Sequence, residues 1–261
     1  MTRPQTIIMV HGAFCGGWVF DDFRTPFAEA GLRVITPDLR GHGPQESPGD
    51  VSGLSMADFA ADIAEVCRRQ AAENGAPPIL LGHSMGGLVA QMTASRAPVG
   101  ALVLLAPSAP WGVFGSSLEE AVTAAALPLV APTPFSPVEP DLRLLKAFSL
   151  DRLPAGEREA VARRTRPESA RAILETLTWW LDPLMTTRME ALPAGLDVLV
   201  VSGARDRVHS PATVRAVAVR LNADYLEMDG MSHWLPGEPG WGNVADAVLK
   251  WVAGRRNRAA A

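Results

Sequence analysis

A serine lies between two glycines in Gly82-His83-Ser84-Met85-Gly86, directly after the apolar run 79–81 and at the start of a segment, 86–97, with helical texture. The five-residue pattern alone is a weak signal; its strength comes from that strand-to-helix setting. A serine at such a tight turn is held in a strained conformation that lifts its hydroxyl off the sheet, and the flanking glycines relieve crowding there. An alcohol is a poor nucleophile until a base takes its proton, so a histidine is required, with an acid to orient it. The chain has five histidines: His11, His42, His83, His209 and His233. In a nucleophile-elbow arrangement the chain order is serine, acid, histidine, and only His209 and His233 follow Ser84. His233 ends the loop Asp229-Gly-Met-Ser-His233, just after a strand-like run, where its side chain can hang over the sheet edge. The acid should follow an earlier strand, and 197–201 leads into Gly203-Ala-Arg-Asp206. Ser84, Asp206 and His233 are therefore the candidate catalytic residues. His209, close to Asp206 and just before a helix cap, reads as a neighbour of the site.

The oxyanion formed by attack on a carbonyl needs preorganised donors, normally two backbone N–H groups. Met85, next after the serine, offers one. The other is expected from Ala13, because the run 7–10 feeds His11-Gly12-Ala13 and Gly12 lets the backbone turn. His11 is expected to pin this loop by hydrogen bonds, and His83 to be a packed elbow residue.

Elements that hold these groups follow from the hydrophobic pattern. The runs 7–10, 33–36, 79–82 and 101–105 read as buried strands, nearly all apolar, as in a parallel sheet covered on both faces. Segments 20–30 and 55–73 between them read as helices, the second opened by a capping box at Ser55-Met-Ala-Asp58. The alternation resumes at 197–201 (strand), 211–221 (helix), 225–228 (strand) and 243–253 (helix), before a basic tail from Arg255 expected to fray. Between Trp111 and Leu192 no run reads as a buried strand. Prolines punctuate this stretch, and helices are expected at 117–127, 142–148, 157–165 and 168–181. This is an α/β core with a helical insertion of the kind that covers strand ends as a lid.

The 261 residues carry 24 Lys+Arg against 28 Asp+Glu, a net charge of −4, which excludes the basic footprint of a nucleic-acid binder. Two cysteines, Cys15 and Cys67, make no disulfide framework, and no Cys/His cluster suggests a metal. The apolar runs are too short for a signal peptide or a membrane span, so a cytoplasmic protein without membrane insertion is expected.

Together, His11-Gly12, Asp38-Leu-Arg40-Gly41-His42-Gly43, Gly82-His-Ser-Met-Gly-Gly87, Gly203-Ala-Arg-Asp206 and Gly230-Met-Ser-His233 resemble, in order, the motifs of the α/β-hydrolase superfamily. Val10-His-Gly-Ala13 and Gly16-Gly-Trp18 are similar to the branch that holds plant methylesterases and hydroxynitrile lyases. The resemblance implies the α/β-hydrolase fold: a mainly parallel central sheet, helices on both faces, and a helical cap inserted after the sixth strand. The core would be 1–108 and 191–261, the cap 109–190. It also implies that Asp38–Gly43 is a structural turn. The aspartate-nucleophile branches are excluded by Ser84. Lyase activity is disfavoured by Gly12, where the lyases carry threonine, and by Trp234-Leu-Pro236, where they carry a lysine near the histidine.

The expected activity is hydrolysis of carboxylic esters of hydrophobic small molecules through an acyl-enzyme, with no cofactor and no metal. Substrate-pocket candidates are Phe14, Trp111, Trp179, Trp180, Met185 and Trp234. Most other large apolar side chains of the insertion should hold its helices together, and its arginines (Arg143, Arg163, Arg164, Arg166, Arg171) should form a solvated face. The same triad could instead serve a carbon–carbon bond hydrolase, a lactonase or a perhydrolase, or the protein could bind a ligand and turn it over slowly. The sequence leaves the oligomeric state open.

Overall fold

The computed structural model describes residues 4–130 and 133–260. In chain order the elements are β1 (Thr6–Val10), α1 (Asp21–Glu29), β2 (Arg33–Ile35), α2 (Met56–Asn74), β3 (Ile79–His83), α3 (Met85–Ala94) and β4 (Ala101–Leu105). There follow α4 (Leu118–Val130), β5 (Pro137–Val138), α5 (Leu142–Leu144), α6 (Ala155–Ala162), β6 (Glu168–Ser169) and α7 (Ala170–Leu177). The core is completed by β7 (Val198–Gly203), α8 (Pro211–Leu221), β8 (Asp224–Met228) and α9 (Trp241–Ala260).

Six strands form one sheet in the order β2-β1-β3-β4-β7-β8, and every pairing is parallel. Side chains alternate across a strand, and the alternation divides the core in two. Ile8, Val10, Leu80, Leu102, Leu104, Val198 and Val200 meet the apolar faces of α2, α3 and α8. Ile7, Met9, Ile79, Leu81, Val103, Leu105, Leu199 and Val201 meet α1 and α9, through Phe23, Phe27, Val244 and Val248. With both faces covered, the central strands need an apolar residue at every position, which is why they read as unbroken runs.

The chain leaves the sheet after β4 and returns at β7. The resemblance puts the insertion after a sixth strand; among the described residues it follows the fourth, since only Pro4 and Gln5 precede β1. Within it, Glu168-Ser169 does not start a helix as the pattern suggests. It pairs antiparallel with Pro137-Val138, and α7 begins one residue later, capped by the Ser169 hydroxyl, which accepts from Ala172 N–H at 3.3 Å. Strand β2 is shorter than expected and partly exposed, because it is the sheet edge. The backbone of α9 stays helical to Ala260 rather than fraying from Arg255. The Arg255 guanidinium bonds Asp197 and the Gly100 carbonyl and lies over the Trp251 ring, tying the last turns to the sheet. Among the described residues no helix is long and apolar enough to cross a membrane.

Strand β3, the turn and α3 pack as closely as backbones allow. A Cβ on Gly82 would lie 2.2 Å from the Gly86 carbonyl oxygen, and one on Gly86 would lie 2.2 Å from that of His11. Gly86→Ala should therefore destabilise the fold by about 3 kcal/mol, the upper range for overpacking, despite alanine's better helix propensity. Urea unfolding should show a lowered midpoint at an unchanged slope; an unaltered midpoint would mean that α3 can move away freely.

Candidate active site

Ser84 occupies the single residue between β3 and α3, with φ +54° and ψ −125°. A non-glycine side chain in that region is strained by about 1–3 kcal/mol, and surrounding contacts must hold it there. Its N–H donates to Leu105 O at 3.0 Å, and its carbonyl accepts from Gly87 N–H at 2.8 Å and Ser108 N–H at 3.0 Å. The C-terminal end of the neighbouring β4 and the loop just after it thus brace the turn, and Ser84 stays partly exposed while its neighbours His83 and Met85 are buried.

The three candidates come together. His233 Nε2 is 3.0 Å from Ser84 Oγ, and His233 Nδ1 is 2.9 Å from Asp206 Oδ2. Asp206 is buried, and its other oxygen accepts from the N–H groups of Val208 at 2.8 Å and His209 at 2.9 Å. Burial opposes its charge, yet His233 and these donors together hold its carboxyl below the usual carboxylate range. This arrangement can take a proton from Ser84 and stabilise the resulting imidazolium.

The other histidines fall into neutral and charged sets. Burial beside His233 presses His83 down to about 3; its neutral ring donates from Nε2 to the His233 carbonyl at 2.9 Å and so anchors that loop. Burial and the proximity of His42 press His11 down to about 3 as well. His11 Nδ1–H donates to Gly12 O at 2.8 Å and Nε2 accepts from Leu39 N–H at 2.9 Å. It pins the loop after β1 to the Asp38–Gly43 turn. His209 is also lowered, chiefly by burial, and its Nε2 lies 2.9 Å from the Ser108 hydroxyl. His42 differs. Both its nitrogens face acceptors, the Arg40 carbonyl at 3.1 Å and Glu168 Oε2 at 3.0 Å, so both must carry protons. Its pKa is raised: burial opposes the charge, but Glu168 outweighs it.

The loop carrying Ala13 lies directly on the nucleophile: a Cβ on Gly12 would sit 2.9 Å from Ser84 Cβ and 3.4 Å from its Oγ. Met85, the other expected donor, begins α3 with its side chain buried against the core. Phe14 packs on Ala170 and Ile173 of α7. Trp111 and Trp179 pack at a tilt with ring centres 5.3 Å apart, Phe114 joins at 4.6 Å, and Trp179 Nε1 donates to Val113 O at 3.2 Å. Trp180 belongs to the group as well, its ring centre 5.7 Å from that of Trp179 and 6.0 Å from that of Phe114, and Phe114, Trp180 and Met185 are all exposed. Trp234 departs from the pocket expected for it. Its ring packs against Trp18 and the edge of His83, in the layer with α1 and α9, because its large apolar surface is buried there.

Three of the insertion arginines are not a free solvated face. Arg164 reaches Asp21 and covers Trp18, Arg166 donates to the Glu46 carbonyl, and Arg171 pairs with Glu175, which itself accepts from Met56 N–H at 2.8 Å. The insertion is docked on the core by such contacts. Local pattern does not single out Ser108 or Glu168; a serine three residues past a buried strand end is a faint signal for the first, and nothing local marks the second. Among the described residues no group of three His, Cys, Asp or Glu side chains could hold a metal ion. Two surface clefts of about 550 and 530 Å³ lie elsewhere, the first along 189–198 and 220–224 and the second between α1 and α9.

The neutral buried histidines have a consequence for stability. Unfolded, each imidazole takes a proton below about 6.5, whereas folded His11 and His83 resist until about 3. Unfolding therefore takes up protons between those limits, and stability should fall with pH by about 1 kcal/mol per unit for each such group. His42 and Glu238, whose folded pKa values are raised, act in the opposite direction over the same range, so the direct check is the ring-proton NMR shifts of His11 and His83. They should not titrate between pH 7.5 and pH 5; a midpoint of about 6 would show that these rings charge in the fold.

The alpha/beta hydrolase family matches residues 7–247. Pyrethroid hydrolase of Sphingobium wenxiniae is 37% identical over 35% of this chain, and the match spans only 31% of that protein's length. Monoacylglycerol lipase of Mycolicibacterium smegmatis is 27% identical over 96% of this chain and 89% of its own. Among solved structures, the Arabidopsis methylesterase MES16 is similar at a TM-score of 0.73 and 15% identity, covering 95% of this chain and 99% of that one. With the family's pattern spanning nearly the whole sequence and the same fold beneath it, the chain belongs to the alpha/beta hydrolase family.

Proposed function

We propose that this protein is a serine hydrolase that cleaves carboxylic esters of hydrophobic small molecules through an acyl-enzyme. The observation that carries the reading is the continuous line Ser84 Oγ–His233–Asp206, with both links at 3.0 Å or less, built on a serine whose strained backbone presents it at the sheet end. His233 takes the Ser84 proton as the hydroxyl attacks the ester carbonyl. The Ala13 and Met85 N–H groups receive the oxyanion, and Asp206 orients His233 and offsets its charge. The alcohol leaves with the proton from His233. Water, deprotonated in turn by His233, then attacks the acyl-enzyme and frees the acid and Ser84. Neutral His83 and His209 beside His233 add no competing positive charge at working pH. The lipase name among the relatives and the methylesterase name among the structural neighbours support ester chemistry. The aromatic group Trp111, Phe114 and Trp179 favours an apolar acyl or alcohol portion.

The test is hydrolysis of p-nitrophenyl esters from acetate to decanoate. Ser84→Ala should lower kcat by about 10⁴-fold or more, and Asp206→Asn by about 10³–10⁴-fold, with little change in KM. A folded wild type that turns over no ester in the series would overturn the reading in favour of another reaction on the same residues. The optimum should fall on medium chains, and Trp179→Ala should move it; a strict acetate preference would remove the hydrophobic-pocket part alone.

A further inference from the structure

The loop that brings Ala13 to Ser84 is not held by the core alone. His11 Nδ1–H takes the Gly12 carbonyl at 2.8 Å, and a trans peptide then turns the Ala13 N–H the opposite way. The next two peptide planes are held by the insertion. Phe14 N–H donates to Glu168 Oε2 at 3.3 Å, and the Phe14 carbonyl accepts from Arg166 N–H at 2.9 Å. Phe14 itself has φ +64°, a left-handed conformation that a phenylalanine does not hold unaided. Glu168 is fully buried, and its carboxylate also accepts from His42 at 3.0 Å and from Ser169 N–H at 2.8 Å. A buried carboxylate with three such donors is held in one orientation. It fastens three separate pieces together: strand β6 of the insertion, the Asp38–Gly43 turn and the backbone beside Ala13.

We propose that Glu168 is a positioning residue for oxyanion stabilisation: by holding Phe14 N–H it keeps the neighbouring Ala13 amide aimed at Ser84, so that seating β6 and completing the oxyanion hole are one event. The inference rests on the serine-esterase reading and assigns the insertion a part in rate as well as in substrate binding. Glu168 touches no substrate atom in this scheme; it acts through the loop.

The experiment compares Glu168→Ala, Glu168→Gln and Glu168→Asp with Arg164→Ala, which breaks an exposed contact between the insertion and α1. On the best p-nitrophenyl ester, Glu168→Ala should lower kcat by about 10- to 100-fold, less than outright deletion of an oxyanion donor, with KM within about threefold. Affinity for a trifluoromethyl ketone of matching chain should fall in proportion to kcat/KM, while the product acid binds as before. Glu168→Gln, whose amide oxygen still accepts from Phe14 N–H, should recover most of kcat. Arg164→Ala should leave kcat unchanged. Amide exchange in the peptide containing Phe14 should rise in Glu168→Ala and stay at the wild-type rate in Arg164→Ala. If Glu168→Ala does not fold because it strands the His42 charge, Glu168→Asp keeps the charge but withdraws it from Phe14, and the same losses should appear there. Unchanged kcat and unchanged exchange at Phe14 would overturn the proposal, as would an effect confined to KM. A wild type inactive on every ester would instead sink the esterase reading, and exchange at Phe14 would still decide whether Glu168 holds the loop.

Discussion

A hydroxyl can be offered at the end of a strand buried on both faces only if the chain reverses into a helix within one residue. At Ser84 that reversal requires a left-handed, strained backbone, and strain persists only where neighbours leave no alternative. The neighbours here are other backbones. Leu105 at the end of the adjacent strand and Ser108 just past it hold the turn from one side, and the loop after β1 closes on it from the other, at distances only glycine permits at positions 12, 82 and 86. The order of the sheet follows from this need: β1 and β4 must flank β3, since they supply those groups.

A second requirement is to fix each histidine's charge without water. In the interior a ring stays neutral unless an anion or a set of acceptors makes the imidazolium worthwhile. His11 and His83 meet a carbonyl each and stay neutral, while His42 meets a carbonyl and a carboxylate and is charged. The result is a layer of neutral rings around the one histidine, His233, that has both a hydroxyl and a carboxylate in reach.

Much of this is legible along the chain. The core strands are unmistakable because two covered faces force unbroken apolar runs. Ser84, Asp206 and His233 stand out because each follows a strand at a turn whose residue types are restricted. What local pattern does not show is contact at long range. Glu168 reads as an ordinary helix-starting acid, but its partners His42 and Phe14 lie 126 and 154 positions away. Arg164 and Arg166 look like surface charge for the same reason. Trp234 shows the opposite error: beside the catalytic histidine it suggests a pocket wall, yet its area is spent on Trp18 and the underside of His83. An apolar residue next to a reactive one can point either way, and only packing decides.

The insertion leaves from β4 and re-enters at β7, and those two strands are direct neighbours in register from Leu102↔Val198 to Leu105↔Val201. The pair is parallel, so the chain leaves at the C-terminal end of β4 and re-enters at the N-terminal end of β7, about 11 Å away by three residues of rise and one strand spacing. The long intervening segment spans that gap with ample slack, so its own length is under little end-to-end demand, and added length raises its closure entropy only slowly. The scaffold thus works as a socket. Insertions, deletions or wholesale exchange of this segment leave the sheet and the Ser84 turn intact, provided a replacement still delivers an acceptor to Phe14. In evolution, substrate range can drift quickly here while the reaction itself stays put.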